Sequence, residues 1–261
     1  MLETLPGEII GASSEAARLR RFVEMAAKTS DPVTILGEPG TGKRLAARLI
    51  HEGSTRSKGP FLMVDCSLFF ERELKRELFG YVSASARGKA RKGLLEFAGR
   101  GTCYLSRIEE LSPGIQASLL ELMKTGRFSR LGDGKSIASG VRLVVSSAKN
   151  IAGFVGAGLF DSNLYGEISK LSIRLAPLRE RKEDVPAIVE EIASRQCAGG
   201  TTRARPAFSS EALRALEAYA WPGNLEELEK EVLRLVDSNV DPIRPEHLAM
   251  EISSCWMGQR G

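Results

Sequence analysis

The sequence predicts an α/β fold: a mainly parallel sheet flanked by helices, followed by a small all-helical domain. Three observations carry that prediction. Short apolar strand-like runs alternate with helical patterns as far as Pro177, the arrangement of a parallel sheet covered on both faces. A glycine-rich turn lies between the first such run and the helix after it. Beyond Pro177 only helical periodicity is left.

The elements follow in order. Residues 14–28 carry Ala16, Leu19, Phe22, Val23 and Ala26 at helical spacing, with Ser13 or Ser14 as the cap. Residues 32–36 (Pro-Val-Thr-Ile-Leu) read as a short buried strand. After the glycine-rich turn, Leu45, Ala46, Leu49 and Ile50 predict a helix over about 43–52. Further strands are expected at 61–64, 102–105 and 141–145, with a helix at 114–124 between the last two. The C-terminal part reads as helices at 182–195, 209–220, 224–238 and 244–252, and residues 198–202 (Ala-Gly-Gly-Thr-Thr) as a loop. The expected division is an α/β domain over 1–177, a helical domain over 178–252 and a tail over 253–261. There is no internal repeat and no low-complexity tract.

Composition bounds the function. The chain has 261 residues, 43% hydrophobic and 27% charged, which is ordinary for a globular protein. Its net charge of +4, from 37 basic and 33 acidic residues, is too small by itself to argue for nucleic acid or a membrane surface. Cys66, Cys103, Cys197 and Cys255 are far apart, with no C-x-x-C pair. That scatter fits a reducing cytoplasm and argues against a structural zinc site. Two histidines, His51 and His247, argue against a His-rich metal site, and no metal-ligand set is expected. No apolar run reaches spanning length, and the N-terminus lacks the basic and apolar regions of a signal peptide. A cytoplasmic protein without membrane contact is the expectation.

Gly37-Glu38-Pro39-Gly40-Thr41-Gly42-Lys43 matches G-x-x-x-x-G-K, directly after a strand and directly before a helix, as that motif requires. The glycines let backbone N–H groups surround phosphate oxygens. The helix N-terminus adds the positive end of its dipole, and Lys43 a cation for the outer phosphates. The plain alternative is a glycine-rich turn with an exposed lysine; the strand–loop–helix order favours phosphate binding. Arg44 stands where the motif has Ser or Thr to touch magnesium, which weighs against Mg2+ here.

At these residues the chain resembles the AAA+ domain of sigma-54-dependent (NtrC-type) bacterial transcription activators. The resemblance starts at Ile10-Gly11-Ala12-Ser13 and includes the phosphate loop, Glu77-Leu78-Phe79-Gly80 and Gly101-Thr102. It continues through Pro177-Leu178-Arg179-Glu180-Arg181-Lys182-Glu183-Asp184-Val185 to Trp221-Pro222-Gly223-Asn224-Leu225, and so covers nearly the whole chain. It implies an AAA+ P-loop sheet with a helical lid, binding of ATP or ADP, and self-association from dimer to hexamer. The family function it implies is ATP-driven remodelling of RNA polymerase bound to sigma-54. RNA polymerase or another regulator is the implied partner.

The departures from the family pattern are equally specific. Where the family has an Asp-Glu pair that holds magnesium and activates water, this chain aligns Ser106-Arg107. Neither side chain acts as a general base near neutral pH. Glu109 and Glu110 lie three and four residues on, and are not expected to substitute. The two arginine-finger positions align with Asp161 and Glu167, the lid's sensing arginine with Glu226, and the first sensor position with Ala148. An arginine finger is worth about 10³–10⁵ in rate, so acidic groups there oppose turnover. These changes predict a degenerate member with very slow or absent hydrolysis. Lys43 and the loop N–H groups still predict nucleotide binding with reduced metal dependence, with Arg107 near the outer phosphate; an empty pocket is the alternative.

In the family a Gly-Ala-Phe-Thr-Gly-Ala loop touches sigma-54. Here residues 81–92 lack it and carry Arg87, Lys89, Arg91 and Lys92, which argues against sigma-54 contact. A basic loop at 87–92 can touch nucleic acid phosphate or an acidic partner, but a solvated loop is the preferred reading. DNA binding is otherwise expected only through a segment outside this chain. Three functions are therefore carried forward: a regulatory or scaffolding AAA+ module that binds but does not turn over nucleotide, an active ATPase with an atypical site, and a partner-binding domain that has lost the nucleotide.

Overall fold

In chain order the elements are α1 (Ser14–Ala27), β1 (Val33–Leu36), α2 (Lys43–Glu52), β2 (Phe61–Asp65), α3 (Glu71–Phe79), β3 (Gly80–Val82), β4 (Ala90–Lys92), α4 (Leu94–Phe97), β5 (Thr102–Ser106), α5 (Pro113–Thr125), β6 (Arg127–Ser129), β7 (Ser136–Ala138), β8 (Arg142–Ser147), α6 (Ile151–Gly156), α7 (Ser162–Ile168), β9 (Ser172–Arg174), α8 (Val185–Ala198), α9 (Ser210–Ala218), α10 (Asn224–Asp237) and α11 (Met250–Gly258). The computed structural model describes residues 7–83, 90–198, 205–238 and 240–258. They form two compact units: one drawn from Met1–Arg21, Glu38–Leu45 and Leu175–Gly261, the other from Phe22–Gly37 and Ala46–Arg174.

The second unit holds a five-stranded sheet in the order β2-β5-β8-β1-β9, with every neighbouring pair parallel. Parallel neighbours need long crossovers, and helices supply them. All six residues of β8 are buried, as are four of five in β5. This is why these strands read as continuous apolar runs rather than alternating ones. Leu105, Val145, Ile108, Ile115, Leu119 and Leu164 lie in one apolar core there. The other unit has its own core of Leu178, Val189, Leu216, Trp221, Leu228 and Val232. Trp221 is fully buried, and its indole N–H donates to the Leu216 carbonyl at 2.7 Å.

The predicted α/β fold with its helical C-terminal part is present, and each of the four expected strands lies within two residues of its forecast. Ser13 is the cap of α1, accepting from Ala16 N at 3.0 Å. The fifth strand, β9, escaped the sequence reading because three residues with one buried side chain carry no period. Residues 81–92, read as a loop, pair at their ends: β3 and β4 form an antiparallel hairpin with Tyr81 opposite Arg91. Residues 84–89, including Arg87 and Lys89 of the basic stretch, lie outside the described residues. A second hairpin joins β6 and β7.

The forecast helix at 182–195 begins as a short 3-10 turn, Lys182–Asp184, before α8. Pro186 fits the first turn of α8, where no intrahelical donor is needed. The forecast helix at 244–252 divides into a 3-10 turn at Pro245–His247, an extended Leu248, and α11. Within the expected tail at 253–261, α11 runs to Gly258; residues 259–261 lie outside the described residues. So do residues 199–202 of the forecast loop, whereas Ala198 closes α8. Among the described residues no helix is long and apolar enough to cross a membrane.

Candidate functional site

The glycine-rich loop leaves β1 at Gly37 and reaches α2 at Lys43. Its glycines have φ of 153° (Gly37), 75° (Gly40) and 95° (Gly42), conformations that L side chains rarely adopt. A Cβ on Gly40 would also lie 2.2 Å from the carbonyl oxygen of Gly223. The loop is held from within its own unit. Asn224, itself fully buried with φ of 54°, donates from Nδ2 to Pro39 O at 2.9 Å and accepts from Leu178 N at 2.8 Å. Leu225 N donates to Gly40 O at 2.9 Å. Arg179 grips the Glu38 carboxylate with both ends of its fork, at 2.7 and 2.6 Å, and that hydrogen bonding raises its pKa.

Lys43 Nζ donates to the Glu38 carbonyl at 2.7 Å, and Thr41 Oγ1 to the same oxygen at 2.8 Å. Arg181, 5% exposed, reaches Thr41 O at 3.4 Å, and burial lowers its pKa. The first turn of α2 has no acidic residue; it opens with Lys43 and Arg44. Backbone donors, a helix start and cations are therefore assembled with no competing carboxylate in that turn. This donor set fits an anionic phosphate chain.

At the end of β5 the chemistry differs. Ser106 lies in register with Asp65 of β2, and its hydroxyl donates to the Val64 carbonyl at 3.5 Å. Arg107 takes a left-handed backbone, φ 55° and ψ 50°, and its guanidinium binds Asp65 Oδ2 at 2.5 Å. Glu110 binds Lys149 Nζ at 2.7 Å. Glu109 is buried, 6% exposed, with Oε2 lacking a hydrogen-bond partner among the described residues. At the end of β5, Ser106 and Arg107 offer a hydroxyl and a cation, a poor donor set for magnesium. Burial pushes the Cys66 thiol up, and the Cys103 thiol up to about 12, so neither is a nucleophile at neutral pH.

The remaining aligned positions are spread over both units. Ala148 is exposed just after β8. Asp161 caps α7, accepting from Leu164 N at 2.8 Å while its own N–H donates to Gln116 Oε1 at 2.7 Å. Glu167 lies on the same helix and pairs with Lys170 at 2.6 Å. Glu226 is exposed in the first turn of α10. The structure thus gathers Glu38, Pro39, Gly40, Thr41 and Lys43 with Arg179, Arg181 and Asn224, and separately Arg107 with Asp65. Sequence reasoning missed Asp65 as a site residue; the register of two parallel strands ending together was the available signal.

A five-stranded parallel sheet flanked by helices, a strand–glycine loop–helix unit and a helical lid define an AAA+ P-loop module. Residues 9–174 match the family described as Sigma-54 interaction domain, and residues 179–255 match the AAA+ ATPase lid domain. The chain belongs to the sigma-54 interaction domain family. The Nif-specific regulatory protein of Herbaspirillum seropedicae is 36% identical over 250 residues, covering 95% of this chain and 46% of that protein. NtrX of Brucella abortus in complex with ATP superposes with a TM-score of 0.86 at 29% identity, covering 95% of this chain and 55% of that one. The complex of the same protein with ADP gives 0.84 at 30% identity, covering 95% and 56%. The chain spans less than half the length of the curated relatives it matches. The argument against sigma-54 contact finds no support here, since the family match runs straight through residues 81–92.

Proposed function

We propose that this chain is the AAA+ module of a sigma-54-type transcriptional regulator that holds ATP or ADP on the loop from Gly37 to Lys43 and turns it over very slowly or not at all. The observation that carries the reading is the Arg107–Asp65 pair at the end of β5. A cation stands where the family's water-activating carboxylate belongs, and it neutralises the acid on the adjacent strand. Glu110 is engaged by Lys149, and Glu109 is buried, so neither offers an available base. The acids at Asp161, Glu167 and Glu226 add no positive charge to stabilise a transferring phosphoryl group.

Lys43 and the loop N–H groups would hold the phosphates, with reduced dependence on Mg2+. NtrX, similar over most of this chain, has been seen with both ATP and ADP. Bound nucleotide would act by stabilising the module rather than by driving remodelling. The regulator of which it forms part would self-associate in the cytoplasm and act on RNA polymerase bound to sigma-54. Titration calorimetry is the test. Heat for ATP and ADP with and without Mg2+, lost in Lys43→Ala, supports the reading; absence of heat in the unaltered chain under both conditions sinks it.

A further inference from the structure

The loop ahead of α2 offers magnesium no side-chain ligand. Mg2+ takes hard oxygen ligands in near-octahedral geometry. From Glu38 to Leu45 only Glu38 and Thr41 carry a side-chain oxygen. The Glu38 carboxylate is held by both ends of the Arg179 fork, at 2.7 and 2.6 Å. Thr41 is 2% exposed, and its hydroxyl donates to Glu38 O at 2.8 Å. The first turn of α2 adds no acid. These residues do not fit the metal that ordinarily accompanies a phosphate chain on such a loop.

Cations stand there instead. Lys43 and Arg44 open α2, both half-buried. Among the described residues Arg44 has no hydrogen-bond or ion-pair partner. Its charge is uncommitted, unlike that of Arg107, which Asp65 neutralises. Arg181 is an independent sign of an anion. It is 5% exposed, its Nη2 reaches Thr41 O at 3.4 Å, and its Nε lacks a partner among the described residues. A buried N–H without an acceptor is costly, and a phosphate oxygen would satisfy it. The charges of Asp184 and Glu15 reach Arg181, but their oxygens are bound elsewhere. Asp184 accepts from Ser13 N at 2.9 Å and from Ser13 Oγ at 2.5 Å, and Glu15 pairs with Arg18 at 2.6 Å. In the lid turn, Glu227 accepts from Gly223 N at 2.6 Å. Glu180, Glu183 and Glu226 are exposed, where solvent and salt screen them.

We infer that Arg44 takes the place of the metal. The loop holds ATP or ADP in its metal-free form, and the Arg44 guanidinium supplies charge that Mg2+ supplies elsewhere. This rests on the nucleotide binding proposed for the loop and adds the species bound. A guanidinium presents its donors in a fixed fork that matches phosphate oxygens, and it stays charged at neutral pH. Mg2+ gives up its water reluctantly, and here it would sit among like charges. Arg44 thus replaces both the hydroxyl that ordinarily holds the ion and the ion itself.

The test is calorimetric titration of ATP into the full chain, once in EDTA and once in excess Mg2+, repeated on Arg44→Thr and Arg44→Lys. The unaltered chain is expected to bind no tighter with Mg2+ than without it. Arg44→Thr restores the hydroxyl of the ordinary motif. It is expected to weaken metal-free binding by about tenfold and to regain part of that loss when Mg2+ is added. Arg44→Lys keeps the charge and loses the fork, so its metal-free affinity falls between the two. Melting temperatures of the nucleotide-free proteins are expected to agree. Should Arg44→Thr fail to fold, the Mg2+ response of the unaltered chain decides alone. Tighter binding by the unaltered chain in Mg2+, or undiminished metal-free binding by Arg44→Thr, overturns the role of Arg44 and leaves nucleotide binding standing. Absence of heat from the unaltered chain in both buffers overturns nucleotide binding itself.

Discussion

Arg107 holds a left-handed backbone, φ 55°, that costs a residue with a Cβ about 1–2 kcal/mol. Its ion pair with Asp65 is half-exposed on the arginine side, so it returns no more than about 1 kcal/mol. The two nearly cancel. Arg107→Gly is therefore expected to shift stability by less than about 1 kcal/mol in denaturant melts and to leave turnover undetectable. A loss of several kcal/mol would mean the pair is structural rather than a replaced catalytic group. Asn224 is the opposite case. It is fully buried, holds φ of 54°, and ties Leu178 N to Pro39 O within one unit. Asn224→Ala strands two backbone groups at about 1–3 kcal/mol each. It should lower the melting temperature by several degrees and weaken nucleotide binding with it; an unchanged melt would show that the turn does not hold the loop.

At the scale of elements, α2 and β5 are joined by a buried hydrogen bond between His51 Nδ1 and Thr102 Oγ1, 2.9 Å long. Burial lowers the His51 pKa below its ordinary 6.5. The neutral ring is thus the folded form, and the unfolded chain takes up the proton first as pH falls. Stability is full above pH 6.5 and declines as pH drops toward the folded-state value. Melts from pH 8 to 5, on the order of the range where an imidazole charges, should show this decline, and His51→Gln should blunt it; an equal decline in the variant would assign it to other groups. The strands that were legible from sequence carried runs of consecutive buried apolar residues, such as Leu143, Val144 and Val145 of β8. The hairpins and β9 were not, because three-residue strands with one inward side chain leave no period to read. The phosphate loop was legible as a motif. Its clamp was not, since Glu38, Arg179 and Asn224 are far apart in sequence and meet only through the fold. Asp161 shows the reverse: the sequence reading singled it out as an arginine-finger position, whereas the structure gives it a local duty as the cap of α7, where removing it would cost about 1 kcal/mol.

For the molecule as a whole, the phosphate loop and the lid turn lie in one compact unit, and the strand ends at Asp65, Ser106 and Arg107 in the other. In the function proposed, the phosphate cradle persists while the groups that would act on water and on the transferring phosphoryl are replaced. Such a module would answer to nucleotide by stability and self-association rather than by work on a target. The most direct test is to load the protein with Mg2+ and a slight excess of ATP, desalt it, and chromatograph the retained nucleotide over hours. The account predicts about one equivalent of bound nucleotide per chain, recovered as intact ATP. Bound ADP with free phosphate accumulating beyond one turnover, or no retained nucleotide at all, would contradict it.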